Sequence, residues 1–110
     1  MGQRMGMCLK LQPGRVEEYK RLHAAVWPEI LARLKASRIA NYSIFLKEPE
    51  NLLFGYWEYD GEDFSADMAA IAADPRTQDW WALCGPCQLP FETRGPGEWW
   101  AGMAEVFHLD

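Results

Sequence analysis

Ile39-Ala-Asn-Tyr-Ser-Ile-Phe-Leu-Lys-Glu-Pro-Glu-Asn-Leu-Leu-Phe-Gly-Tyr-Trp-Glu-Tyr59 decides the fold. Residues 39–46 and 52–59 are rich in Ile, Tyr, Phe and Leu, types that suit a pleated, half-buried surface. Between them, Lys47-Glu48-Pro49-Glu50-Asn51 forms a polar turn around a proline, and Asp60-Gly61 closes the second run. The stretch predicts a hairpin in the middle of the chain.

Upstream of the hairpin the hydrophobic period changes to that of a helix. Val16, Tyr19, Leu22, His23, Val26, Trp27, Ile30, Leu31 and Leu34 recur at spacings of three and four. Pro28 interrupts this run, because proline lacks a backbone donor and clashes with the preceding turn. A restart with Pro28 at the first helical position, followed by Glu29, is the chemically sensible outcome. Further upstream, residues 3–11 alternate, with Met5, Met7, Leu9 and Leu11 on one face, and predict a strand ended by Pro13-Gly14.

Downstream, residues 62–73 predict a helix with Phe64, Met68 and Ile71 inward. Asp74-Pro75 breaks it and starts a further helix through Leu83. Residues 85–102 carry Gly85, Gly95, Gly97 and Gly102 with Pro86, Pro90 and Pro96, and predict a long loop. Met103 to Leu109 predicts the last strand. The order β-α-β-β-α-β is the ferredoxin-like split βαβ arrangement of the α+β class, an antiparallel sheet with helices on one face. Its open sheet face calls for a second copy, with the two sheets packed together as in a dimeric α/β barrel.

The bulk properties agree with one domain over residues 1–110. Hydrophobic residues make up 49% and charged residues 25%, an ordinary globular balance. A domain this small buries only part of its apolar surface alone, which also favours a homodimer. The net charge of -5 repels phosphates, so no nucleic-acid partner is expected. No run approaches the ~20 apolar residues of a membrane span, and no secretion signal opens the chain. Three cysteines, Cys8, Cys84 and Cys87, do not make a disulfide framework. The expectation is a cytoplasmic protein with no membrane partner.

Several residues could carry chemistry. Tyr19, His23 and Trp27 follow i, i+4, i+8 and so share one side of a helix. Phenol and imidazole tips need partners when buried, which makes this less a core stripe than a site. Trp27 reads equally well as core. Six tryptophans include the pairs Trp80-Trp81 and Trp99-Trp100, and neither pair can bury both members on one face of one element. Trp80 and Trp81 close the predicted split helix, where one can pack inward while the other lines a cleft. Tyr42 lies on the hairpin, where its phenol either reaches a pocket or caps the core. Flat apolar rings suit the C–H faces of a sugar, with phenol and imidazole on its hydroxyls.

Other chemistries find little support. His23 and His108 are the only histidines, too few for a metal site without further ligands. Cys84-Gly85-Pro86-Cys87 matches a thioredoxin-like redox motif in letters, but it follows a helix where that motif should open one. Phosphate-binding glycine loops and nucleophile elbows are missing from the sequence.

Six pieces, taken in order, are similar to the L-rhamnose mutarotase family over nearly the whole chain: Glu18-Tyr19 followed by His23, Trp27-Pro28-Glu29, Asn41-Tyr42-Ser43-Ile44, Asn51-Leu52-Leu53-Phe54, Trp80-Trp81 and Glu105-Val106-Phe107. The resemblance implies a ferredoxin-like dimer and a cofactor-free enzyme that interconverts sugar anomers. It implies that His23 is the acid-base residue and that Tyr19, Tyr42, Trp80 and Trp81 contact the sugar. The expected substrate is a 6-deoxy-L-hexose, L-rhamnose or L-fucose, with His23 protonating the ring oxygen. The segment from Gln88 to Gly102 looks longer and more aromatic than the usual family loop, and His108 stands where the family often has an aromatic. Two rival readings are a cofactor-free monooxygenase of the antibiotic-biosynthesis type and a non-catalytic dimeric binding module.

Overall fold

The structure is a computed structural model that describes residues 2–110. The elements run β1 (Gln3–Leu11), α1 (Val16–Ala24), α2 (Pro28–Ala36), β2 (Ile39–Lys47), β3 (Leu52–Tyr59), α3 (Phe64–Ala73), α4 (Pro75–Cys84), a 3-10 turn (Gly85–Cys87), β4 (Gln88–Leu89) and β5 (Ala101–Met103). Both helical segments split where proline falls. Trp27 turns extended, and Pro28 restarts the helix as α2. Asp74 ends α3 and caps α4, its carboxylate accepting from the Thr77 amide at 3.0 Å beside Pro75. Asp63 caps α3 in the same way through the Ala66 amide, at 3.1 Å.

The sheet is antiparallel, in the order β2-β3-β1-β4, with β5 also on β1. This is the ferredoxin-like order with its final edge strand in two pieces. Gln88 and Leu89 pair with one end of β1, and Ala101 to Met103 pair with its middle. The expected strand from Met103 to Leu109 is therefore corrected, since pairing stops at Met103. Arg4 lies beside the point where the ladder would continue. Its guanidinium holds the Glu105 carboxylate at 2.8 Å, so a side-chain ion pair succeeds the backbone ladder. The expected loop over 85–102 is likewise broken up by the 3-10 turn, by β4 and by the start of β5.

All four helices cover one face of the sheet. Leu9, Leu11 and Leu53 meet Tyr19, Ile30, Trp80 and Cys84 in the main core. A second cluster joins Ile39, Trp57, Tyr59 and Ile71 beneath α3. Residues at alternate strand positions face away from the helices, and there Phe45 (61% exposed), Phe54 and Met103 stay uncovered. No helix among the described residues is long and apolar enough to cross a membrane.

Candidate active site

Helix α1 sets Tyr19 and His23 one turn apart, and their rings stack with centroids 4.1 Å apart. Tyr19 is buried and His23 half-buried. His23 Nδ1 lies 3.0 Å from the Tyr19 carbonyl oxygen. A carbonyl only accepts, so Nδ1 carries the hydrogen and Nε2 is the acceptor nitrogen of the neutral ring. Burial lowers the His23 pKa below its ordinary value, and the hydrogen bond to the Tyr19 carbonyl only partly opposes this. At neutral pH the ring is an uncharged imidazole with a defined tautomer.

Trp80, from α4, presents itself to the imidazole edge-on, with centroids 5.4 Å apart. It meets Trp27 at 5.2 Å in the same fashion. The Arg76 guanidinium covers the Trp27 face at 4.0 Å and is itself held by Asp79 (3.3 Å) and Glu29 (3.6 Å). Trp27 is thus occupied by Arg76 and Trp80 and serves as the wall behind the site. Trp81, one residue on, is half-exposed.

Tyr42 enters from β2 through a β-bulge. The register slips between Ala40 and Ser43, and Asn41 takes a left-handed φ of 52° while its amide donates to Glu58 at 2.8 Å. Asn tolerates that conformation better than most residues. The bulge turns the Tyr42 ring toward the helix-covered side, 6.4 Å from Trp57. Tyr42 as a whole is 40% exposed, and burial pushes its phenol up to about 12. Burial raises the Tyr19 phenol as well. Both tyrosines are therefore hydrogen-bonding hydroxyls at any ordinary pH.

A cavity of about 300 Å³ opens between Tyr19, Lys20 and His23 on α1 and Ile44, Leu46 and Leu53 on the sheet. Its walls are mainly apolar, with imidazole and phenol as the polar groups, and a Lys20–Glu48 ion pair of 3.2 Å lies at its edge. Space of this size suits a monosaccharide better than a large ligand.

One residue of this neighbourhood escapes the reading of the sequence. Gln88 is 9% exposed, and its side-chain oxygen accepts from the Trp99 indole at 2.7 Å. A lone Gln after Cys-Gly-Pro-Cys gives no local signal, because its partners lie far along the chain. His108 stays in the exposed C-terminal segment, paired with Asp110 at 2.8 Å. Cys84 and Cys87 are buried free thiols. Burial pushes Cys84 up to about 12 and raises Cys87, the opposite of a reactive thiolate. Among the described residues no three His, Cys, Asp or Glu side chains gather where they could hold a metal ion.

The family profile of L-rhamnose mutarotases matches residues 4–109. An L-rhamnose mutarotase from Oceanobacillus iheyensis is 35% identical over 107 residues, covering 97% of this chain and 98% of the relative. The crystal structure of an L-rhamnose mutarotase from Formosa agariphila superposes with a TM-score of 0.77 at 26% identity, over 98% of this chain and 99% of that one. Tetracenomycin F2 cyclase from Streptomyces glaucescens shares the fold alone, with a TM-score of 0.67 at 18% identity over 97% of this chain and 95% of its own. Matched along nearly its full length by sequence and by fold, the chain belongs to the L-rhamnose mutarotase family of isomerases.

Proposed function

We propose that the protein interconverts the α and β anomers of a 6-deoxy-L-hexose, L-rhamnose first and L-fucose second, at the cavity beside Tyr19 and His23. The observation that carries this reading is the bond from His23 Nδ1 to the Tyr19 carbonyl, 3.0 Å, which leaves Nε2 as a proton acceptor.

Mutarotation opens a hemiacetal and closes it on the other face of the aldehyde. The anomeric and ring oxygens share one carbon, so a single nitrogen can reach both. His23 Nε2 takes the proton of the anomeric hydroxyl. As the bond from C1 to the ring oxygen breaks, the imidazolium delivers that proton to the ring oxygen. Rotation about C1–C2 exposes the other aldehyde face, and the steps reverse. No proton is gained or lost overall. The neutral resting imidazole refines the sequence expectation: His23 still protonates the ring oxygen, but it first collects that proton from the substrate. Tyr19 and Tyr42 bind sugar oxygens, and Trp81 offers its open ring to the C–H face while Trp80 backs the imidazole.

Anomer exchange of L-rhamnose and L-fucose at equilibrium, followed by NMR saturation transfer, tests this. A positioned acid-base group contributes about 10²- to 10⁴-fold, so His23→Ala loses that factor while its circular dichroism stays native. In the wild-type protein the rate falls only as pH drops through a His23 pKa below its ordinary value, and it is flat across neutrality, since the neutral ring is the active form. Near-normal exchange in His23→Ala would remove the histidine from the mechanism. Oxygen uptake with sugar consumption would replace the isomerase by a monooxygenase.

The protein also pairs with a second copy through its open sheet face. Phe45, Phe54 and Met103 on that face, with Val106, Phe107 and Leu109 of the C-terminal segment, all stand exposed within one chain. Such contiguous apolar surface is the mark of a partner interface. Light scattering on the wild type is expected to give twice the chain mass, and Phe45→Asp to shift it toward the monomer. A wild-type protein that stays monomeric at micromolar concentration overturns the pairing.

A further inference from the structure

The cavity beside His23 offers a bound sugar few polar partners. Ala24, Ile44, Leu46 and Leu53 make its apolar walls, and the lining side chains able to hydrogen-bond are Tyr19, His23 and Lys20. In the reading above His23 serves the anomeric carbon, and Tyr19 lies 4% exposed with the imidazole stacked on it. A 6-deoxyhexose carries further hydroxyls on C2, C3 and C4. Each one enclosed without a partner costs binding. Lys20 is the lining group left to meet them.

The surroundings of Lys20 suit that task. It precedes His23 by about 4.5 Å along the axis of α1, close to the width of a pyranose ring. Its ammonium is held in place. Glu48, in the turn between β2 and β3, pairs with it at 3.2 Å, and Glu17, one turn back on α1, at 3.4 Å. An ammonium carries three hydrogens, so these two carboxylates leave one available at the cavity rim. The Glu48 carboxylate also keeps lone pairs for a further donor. A hydroxyl both donates and accepts, so this ion pair can satisfy two neighbouring hydroxyls at once.

With His23 Nε2 working between C1 and the ring oxygen, the opposite edge of the sugar is the C3–C4 bond. We infer that Lys20 and Glu48 together read the hydroxyls on C3 and C4 at that edge, and so set which deoxy sugar the site prefers. In L-rhamnose both hydroxyls are equatorial and leave the ring outward, toward the rim. In L-fucose the C4 hydroxyl is axial and turns to a ring face, toward apolar walls that cannot bond it. The pair therefore favours L-rhamnose. This rests on the reading of the cavity as the sugar site with His23 at C1.

Lys20→Met tests the inference, with kcat and KM taken from NMR exchange at increasing sugar concentration. Both members of the ion pair are half-exposed, so the fold survives its loss, and circular dichroism checks this. Removing a bond from a charged donor raises KM for L-rhamnose about tenfold while kcat holds. L-Fucose lacks the paired contact and changes little, so the preference for L-rhamnose shrinks. L-Rhamnose with hydrogen in place of its C4 hydroxyl supplies the second arm. On the wild type it shows a similar rise in KM, and Lys20→Met adds nothing further. Equal KM values for the two rhamnose forms on the wild type would overturn the inference without any variant. An unchanged KM in Lys20→Met, or an equal loss for both rhamnose forms in that variant, would make the ion pair a surface strut and overturn it as well. A wild-type protein that fails to speed exchange of any of these sugars overturns the mutarotase reading instead.

Discussion

Trp80-Trp81 and Trp99-Trp100 are the same dipeptide in two backbones, and each divides into one covered and one open ring. On α4 the first ring is inside, Trp80 at 6% exposure against 50% for Trp81. Just before β5 the order reverses, with Trp99 48% exposed and Trp100 packed against the main core. The helix separates neighbours by about 100°, so Trp81 lands on the rim of the layer that Trp80 fills. Trp99 and Trp100 lie in the bend that leads into β5, where Trp99 turns outward and gives its N–H to the Gln88 side chain. The Trp100 ring finds room because its neighbour across the sheet is Gly55, where a Cβ would stand 3.3 Å from the Trp100 ring and 3.1 Å from Met7 Cγ. Composition fixes that one of each pair must face out, and the local backbone fixes which.

The sharpest way to break this comparison is to remove the innermost ring. Trp80→Ala empties the space between His23 and Trp27, and large-to-small changes of this kind cost about 3–5 kcal/mol. A loss of that size takes much of the stability of a small domain. Urea unfolding of this variant beside wild type measures it. A cost under about 1 kcal/mol would mean that Trp80 is a ligand surface and not part of the core. Next in size is Trp100→Ala, which uncovers Gly55 and Met7 at the sheet centre. Partial burial limits its cost to about 2–3 kcal/mol by the same rule. If Trp100→Ala proves costlier than Trp80→Ala, the sheet edge rather than the α1–α4 contact holds the domain together.

The same contrast explains how far the sequence could be read. The parts recovered from sequence are those where the deciding residues are close together. Tyr19 and His23 are one helical turn apart, Pro28 and Pro75 mark their own helix starts, and residues 3–11 alternate without interruption. The parts missed depend on residues far apart. The final strand is split because Gln88-Leu89 and Ala101 to Met103 find different stretches of β1, and no local pattern announces a strand two residues long. Apolar residues carry on through Val106, Phe107 and Leu109, in the stretch 103–109 that reads as a strand. Within one chain, though, those side chains stand 79–94% exposed. Gln88 belongs to the same class. Its meaning comes from Trp99 in the loop. The bulge at Asn41 is intermediate: the Asn is visible in the sequence, but its left-handed turn needs Glu58 across the hairpin.

Trp81→Ala is the smallest expected perturbation of the fold and the most informative about the site. Half of the Trp81 surface is already open to solvent, and surface changes of this kind stay within about 0.5 kcal/mol. Urea midpoints for this variant and the wild type should therefore coincide. If the ring meets the C–H face of the sugar, its loss weakens L-rhamnose binding about three- to tenfold, the weight of one aromatic contact. Calorimetric affinity then separates Trp81 from Trp80, since one variant loses ligand and keeps its fold while the other loses its fold first. Unchanged affinity together with an unchanged midpoint would leave Trp81 outside the sugar site, and the apolar wall would fall to Ile44, Leu46 and Leu53 across the cavity.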